Sequence, residues 1–372
     1  MSEEDTIMKI AIVHDFLLQR GGSERCLDIL LELFPEADVF TLLYDKKTFP
    51  DYERFKIKES FLKNFPLAKN KHYYYLPLYN RAIRSFDLSK HDLIISSSHA
   101  FAKNIRKHKR QTHICYCHSP MRSLYDIKSH YIEDRNVAVK LFLNSYIENL
   151  REKDIKYSES VDHFIANSSN VKERIKRHYK RDSLVIYPPV DTCFFNVKGS
   201  SKEFYLIVSR LVRYKMIDMA IRAFNEMNKK LVIVGNGPEL NKLRKIAKSN
   251  ITFISNADDN DVRESYQKCI ALIYPQHEDF GITSLEAQAC GRPVIAYAKG
   301  GALETVKEGE TGIFFRRQTA DDLIDAVKRF EKMSFDAEAC RKNSLNFSKE
   351  KFKKNIKSFV SGKLQDSARR RQ

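Results

Sequence analysis

Apolar residues fall along this chain in two kinds of run. Short, nearly continuous stretches rich in β-branched residues alternate with longer stretches in which apolar positions recur every three or four residues. KIAIVHDFL is the first short run and has the pattern of a strand buried on both faces. QRGGSE turns the chain, and RCLDILLELF reads as an amphipathic helix. DVFTLL, DLIISSS at 92–98, HICYCH at 113–118 and HFIANSS at 163–169 are further strands, with a helix from about 135 to 158 between the last two. Strands and helices alternating at this spacing predict a parallel α/β sheet.

VIYPPVDTCFF breaks the rhythm, and its two prolines read as an extended interdomain linker. A second series follows. EFYLIVSR is a strand, IDMAIRAFNEM a helix, KLVIVGNGPE a strand and turn, and ELNKLRKIAKS a helix; ITFIS, VRESYQKC, IALIYP, PVIAYA and a helix near DDLIDAVKRFEK complete it. The expected architecture is α/β, with two Rossmann-like domains at 1–190 and 191–350. A basic helix or tail at 351–372 can pack back on the first of them. Two such domains facing across a cleft would bind ligands at the C-terminal ends of their strands.

Composition narrows the function. No apolar run approaches the 18 or so residues of a membrane span. The start, MSEEDTIMK, lacks the basic and apolar regions of a secretory signal. Seven scattered cysteines without C-x-x-C, and eleven histidines without H-E-x-x-H, argue for reduced thiols in the cytoplasm and against a metal site.

The net charge of +17 calls for anionic partners. It is uneven: 61–110 holds eleven Lys/Arg against Asp87 and Asp92, and 341–372 holds eleven against Glu350 and Asp366. Within the first stretch, residues 61–86 mix five basic residues with Phe61, Phe65, Tyr73, Tyr74, Tyr75 and Tyr79, and KNIRKHKR at 103–110 adds five more cations. This is either a solvated cover of the first domain or a patch that lies on anionic lipid. No nucleic-acid recognition motif accompanies the charge, so nucleic acid is not an expected partner.

The densest chemistry lies in QHEDFGITSLEAQACGRPVIAY, at 276–297. It parses as loop, helix and strand. The helix begins near Thr283 or Ser284, either of which can cap it, and ends at Gly291 before Pro293. Glu278 then precedes the helix and Glu286 sits about one turn inside. Between them the amides of Gly281, Ile282 and Thr283 form an anion site aided by the helix dipole. A diphosphate flanked by two carboxylates is the outline of a nucleotide sugar.

The stretch resembles the E-x7-E motif of family 4 glycosyltransferases, which have the GT-B fold. SRLVRYKMIDMAIRAF resembles that family's R-x4-K segment, here Arg210 and Lys215, with Met216 where glycine is usual. VGNGPEL resembles a family turn, HDFLLQRGGSER its glycine-rich first loop with Gly21 and Gly22, and CYCHSPMR a segment whose histidine is here His118. IANSSNVKERI, with Asn167 and Ser168 facing the cleft, and YPPVD also resemble family segments, so the likeness runs from about 8 to 345.

The resemblance implies a retaining transfer from a nucleoside diphosphate sugar, with no essential metal or other cofactor. Arg210 and Lys215 would hold the diphosphate, Glu278 and His118 would lie at the transferred sugar, and Glu286 would bind the ribose. Gly21, Gly22, Phe280, Gly281, Ile282 and Thr283 complete the implied donor site. The acidic DDND at 258–261 reads instead as turn and cap residues. The first strand and helix look most like bacterial mannosyltransferases that use GDP-mannose in surface polysaccharide assembly, with a UDP-sugar as the alternative donor. A saccharide acceptor, lipid-linked, and a cytoplasmic enzyme peripheral at the inner face of the cell membrane follow from that. A catalytically silent scaffold and a basic nucleic-acid-binding protein are the competing readings.

Overall fold

Strand pairing in the computed structural model joins the chain into two separate sheets in which every pair is parallel. The structure describes residues 8–125, 137–199 and 203–369. The acidic start at 1–7, the first positions of the helix expected from about 135 and the last arginines of the tail lie outside the described residues.

The first sheet contains β1 (Ile10–His14), β2 (Asp38–Thr41), β3 (Ile57–Glu59), β4 (Leu93–Ser98), β5 (Thr112–Cys117), β6 (His163–Ala166) and β7 (Ser183–Val185), in the order β3-β2-β1-β4-β5-β6-β7. The second contains β8 (Phe204–Val208), β9 (Leu231–Val234), β10 (Ile251–Ile254), β11 (Cys269–Tyr274), β12 (Val294–Tyr297) and β13 (Gly312–Phe315), in the order β10-β9-β8-β11-β12-β13. Both are doubly wound. The order reverses between β1 and β4 in one sheet and between β8 and β11 in the other, and such switch points open crevices beyond the strand ends.

Two compact units contain these sheets. Residues up to Tyr187, rejoined by those from Lys353 onward, make the first; Pro188–Phe352 make the second. Each has its own core. In the first, Ala11, Val13, Phe40, Ile94 and Leu124 pack on one side of the sheet, and Cys115, Phe164, Val171 and Ile175 form a separate cluster. The helix Lys349–Arg369 adds Ile356 and Val360, both buried, and Lys353 pairs with Glu32 at 2.6 Å. In the second, the helix Ala320–Phe330 buries Leu323, Ile324, Ala326, Val327 and Phe330 against β8, β9 and β13 residues such as Ile207, Ile233 and Ile313. Each Leu, Ile, Val or Phe among them contributes about 1.5–3 kcal/mol on burial.

β3, β7 and β13 have three or four residues each, and β3 and β7 are sheet edges with half-exposed patterns. Runs that short carry no periodicity to read. All seven cysteines are free thiols, and only Cys193 is exposed. Asp258 and Asp261 form the capping box of the helix Asp259–Lys268, as the acidic run suggested.

Candidate active site

In the second unit the candidate residues converge on the two strands at the switch point. After β8 the chain passes Ser209 and the exposed Arg210, makes a single 3-10 turn at Arg213–Lys215, and enters the helix Ile217–Met227 through Met216. The turn after β9 braces this loop: the Leu211 amide donates to the Asn236 carbonyl at 2.9 Å and that of Glu239 to Leu211 O at 3.1 Å. Met216 has φ 55° and ψ 31°, the left-handed region where glycine is free of the Cβ clash.

After β11 the loop carries Glu278. Nζ of Lys215 donates to Oε1 of Glu278, and both side chains are more than four-fifths buried. A second loop holds the Glu278 backbone. The Gly301 amide donates to Glu278 O at 2.9 Å, and a Cβ at Gly300 would stand 2.3 Å from that same oxygen. A Cβ at Gly301 would stand 2.2 Å from Cα of Phe280. Only glycines permit this approach, so Gly300 and Gly301 are site-building residues that sequence reasoning missed. The signal was present: a Gly-Gly pair follows β12 as Gly21-Gly22 follows β1.

The helix begins one residue earlier than expected, at Ile282, and spans Ile282–Ala289. Its cap position is Gly281 at φ 98°, where a Cβ would also meet Tyr274 Oη at 2.5 Å. Neither Thr283 nor Ser284 caps it. The Ser284 hydroxyl donates to Gly281 O at 2.8 Å and contacts Thr305 Oγ1 at 2.8 Å. The amides of Ile282 and Thr283 remain first-turn donors that the helix itself cannot satisfy. Glu286 lies in the second turn, only 3% exposed, and accepts from Tyr266 Oη at 2.9 Å. Phe280 is buried, with its ring tilted against that of Phe347 at 5.7 Å, so its side chain packs in the interior of the second unit. Among the described residues, Arg210 has no ion-pair partner, and no group of three or more His, Cys, Asp or Glu side chains could hold a metal ion.

In the first unit Gly21 and Gly22 open the helix Gly22–Leu33 and are exposed. The acidic charge that a helix N-terminus favours is supplied there by Glu24. Burial raises the Glu24 carboxyl, but hydrogen bonds from His14 and Ser23 and the nearby His14 and His99 imidazoles together outweigh it and hold the group down to about 2. His14, at the end of β1, lies in register with Ser97 of β4. Ser97 Oγ is 2.8 Å from Nε2 of His118, which follows β5. Burial pulls His118 down to about 3, so its imidazole is neutral.

Beside them Asp15 accepts four backbone N–H bonds, from His99, Ala100, Phe101 and Ala102, at 2.6–3.0 Å. Burial raises this carboxyl too, but His99, His14 and the amides outweigh it and leave it below its ordinary value. His14, Asp15, Glu24, Ser97 and His99 were not singled out by sequence, because their proximity depends on strand register. Ser168, expected with Asn167 to face the cleft, caps the helix Ser169–Tyr179 by accepting from the Val171 amide at 3.0 Å, and its hydroxyl donates to Asn167.

Comparison with known proteins bears on the family and the fold. The model "Glycosyltransferase Family 4" matches residues 20–194, and "Glycosyl transferases group 1" matches residues 193–347. The chain is 27% identical to the alpha-1,3/1,6-mannosyltransferase ALG2 of Dictyostelium discoideum over 276 residues, 62% of this chain and 64% of that protein. It is 33% identical to the GDP-mannose-dependent alpha-(1-6)-phosphatidylinositol monomannoside mannosyltransferase of Mycolicibacterium smegmatis over 138 residues, 32% of this chain and 36% of that protein. In neither relative does the match reach two thirds of its length. HepE of Anabaena, solved in complex with UDP and glucose, superposes with a TM-score of 0.74 over 95% of this chain and 99% of its own, at 18% identity. The fold is that of the GT-B proteins.

Proposed function

We propose that this chain, which carries a Glycosyltransferase Family 4 domain followed by a glycosyl transferases group 1 domain, moves a sugar from a nucleoside diphosphate sugar to a saccharide acceptor with retention of configuration. The observation that carries the reading is the Lys215–Glu278 pair at the switch point of the second sheet. A cation that suits a diphosphate stands against a carboxylate that suits sugar hydroxyls. Arg210 is exposed on the same loop as Lys215, and the first-turn amides of Ile282 and Thr283 follow Glu278. On this reading Arg210, Lys215 and the amides meet the charge that develops on the leaving diphosphate. Glu278 orients the transferred sugar, and Glu286, already hydrogen-bonded to Tyr266, takes the nucleotide ribose. Within the first unit, His118 is proposed to meet a sugar hydroxyl, and Gly21 and Gly22 to let backbone approach a ligand.

The preferred donor is GDP-mannose, supported by the likeness of the first strand and helix to mannosyltransferases and by the two mannosyltransferase relatives. A UDP-sugar is the second reading, supported by the fold shared with HepE, whose crystals hold UDP. A screen of GDP- and UDP-sugars with saccharide and lipid-linked saccharide acceptors, read by product mass, tests both. A mannosylated product from GDP-mannose supports the first, and a product from UDP-sugars alone replaces it with the second.

The acceptor is proposed to be lipid-linked and reached by peripheral binding to an anionic membrane. No helix among the described residues is long and apolar enough to cross one. The supporting feature is the segment 61–81 of the first unit, where Leu67, Tyr73 and Tyr74 are more than half exposed beside the exposed Lys63, Lys69, Lys71 and Arg81. This patch is smaller than the sequence suggested. Tyr79 is buried in the core, Arg84 stacks over Tyr157 at 4.3 Å, and Lys103 and Lys107 are tied up by Asp154 and Asp162.

A further inference from the structure

We propose that Glu24, His14 and Ser97 form a hydrogen-bonded chain that fixes His118 in one neutral tautomer, with Nε2 protonated and Nδ1 free to accept a hydrogen bond from a sugar hydroxyl. The links are short and continuous. His14 Nε2 is 3.1 Å from Glu24 Oε1, His14 Nδ1 is 3.0 Å from Ser97 Oγ, and Ser97 Oγ is 2.8 Å from His118 Nε2. His14 and Ser97 are fully buried and Glu24 nearly so. The parallel register of β1 and β4 sets His14 opposite Ser97, and the His118 amide bonds Ser98 O at 2.8 Å, so backbone pairing holds three of the four members in line.

With His14 neutral, the Glu24 end sets the direction of the rest. A Glu24 carboxylate can only accept, so His14 Nε2 carries a hydrogen. Nδ1 of a neutral His14 presents a lone pair and accepts from the Ser97 hydroxyl. Ser97 is left with lone pairs and accepts from His118 Nε2–H. That leaves Nδ1 of His118 unprotonated, and among the described residues it has no other polar partner.

Cationic His14 would keep the link to Glu24 and reverse the other two. Both its nitrogens would donate, Ser97 would donate to His118 Nε2, and Nδ1 of His118 would carry the hydrogen instead. Among the described residues, the other titratable groups facing this cluster are Asp15 and His99. Asp15 is committed to four backbone amides, with His99 Nδ1 3.2 Å away, and so is not available to redirect the chain. Glu24, His14 and Ser97 are therefore positioning residues, and a second-sphere partner of this kind fixes the tautomer of a functional histidine.

The bonds rest on geometry alone; their use on a sugar rests on the glycosyl-transfer reading. The test is nitrogen NMR of the full chain labelled at histidine, with the His118 signals assigned by their loss in His118→Gln. The expected spectrum at neutral pH shows Nε2–H and bare Nδ1. Ser97→Ala should populate both tautomers and lower kcat about tenfold with KM for the donor nearly unchanged, and Ser97→Thr should restore both properties. A protonated Nδ1 in the wild-type chain, or a single unchanged tautomer in Ser97→Ala, would overturn the proposal. The expected spectra without any transfer activity would uphold the hydrogen-bonded chain and overturn its use on a sugar.

Discussion

Lys215 and Glu278 are separated by 63 positions and form an ion pair, Nζ donating to Oε1. They stand on the loops that leave β8 and β11, the neighbouring strands between which the second sheet reverses its order. Partial burial of both keeps the pair from being screened as a surface pair would be. Gly300 and Gly301 hold the Glu278 backbone at one end, and Met216 holds the turn of Lys215 at the other.

The two glutamates should separate in calorimetry with GDP and UDP. Glu278→Ala is expected to lower transfer while leaving nucleotide affinity near wild type. Glu286→Ala is expected to weaken the nucleotide itself, by about tenfold for a lost charge-assisted hydrogen bond. Equal losses of affinity in the two variants would contradict the division of roles.

Met216 holds a left-handed backbone that suits glycine. Met216→Gly relieves that strain but gives up partly buried packing and adds unfolded-state freedom, so its stability should stay within about 1 kcal/mol of wild type. Met216→Val puts a β-branched side chain in the same conformation and should cost roughly 1–2 kcal/mol. Urea unfolding of the three chains decides: a Val variant as stable as the wild type would mean that the turn is not held at positive φ.

His113 and His118 are both buried and pulled down to about 3, and His113 Nε2 lies 2.8 Å from Ser96 Oγ. An unfolded chain protonates both near the ordinary value; the native chain does not. Their contribution is therefore complete above that value and is lost as pH falls toward 3. Between pH 7.5 and 5.5 the loss is about 1.4 kcal/mol for each, roughly 3 kcal/mol together. Urea unfolding of the first unit should show it, and a midpoint identical at the two pH values would mean that these imidazoles are not held neutral.

The patch around Tyr73 and Tyr74 should sediment with anionic liposomes, and less so as salt rises, because each engaged cation is worth on the order of 1 kcal/mol at an acidic surface. Replacing Lys63, Lys69, Lys71 and Arg81 by Glu should remove the binding. Equal binding to neutral and anionic vesicles, or to neither, would leave these residues a solvated face and the acceptor without a lipid link.

The strands that build both switch points were legible because they are buried on both faces and so appear as continuous apolar runs, as in β1 and β11. Glu278, Lys215 and Arg210 were singled out by the resemblance of their segments to a family motif, and the structure brings Lys215 against Glu278. Burial was not legible. Nothing in the spacing told that Phe280 packs on Phe347, or that Lys103 turns inward to Asp154. The cluster of His14, Ser97 and His118 was invisible for another reason: residues 83 and 21 positions apart meet only through strand register. Met216 stood out as a departure, and its φ explains why a glycine fits there.

The most direct test is turnover of GDP-mannose and UDP-sugars by the wild-type chain, Arg210→Ala and Lys215→Ala, with folding checked by circular dichroism. Each cation offers a charge-assisted hydrogen bond worth roughly 1.5–3 kcal/mol to the leaving diphosphate, so either loss should slow transfer by about one to two orders of magnitude. A wild-type chain that consumes no nucleotide sugar, or variants that match its rate, would contradict sugar transfer at the Lys215–Glu278 site.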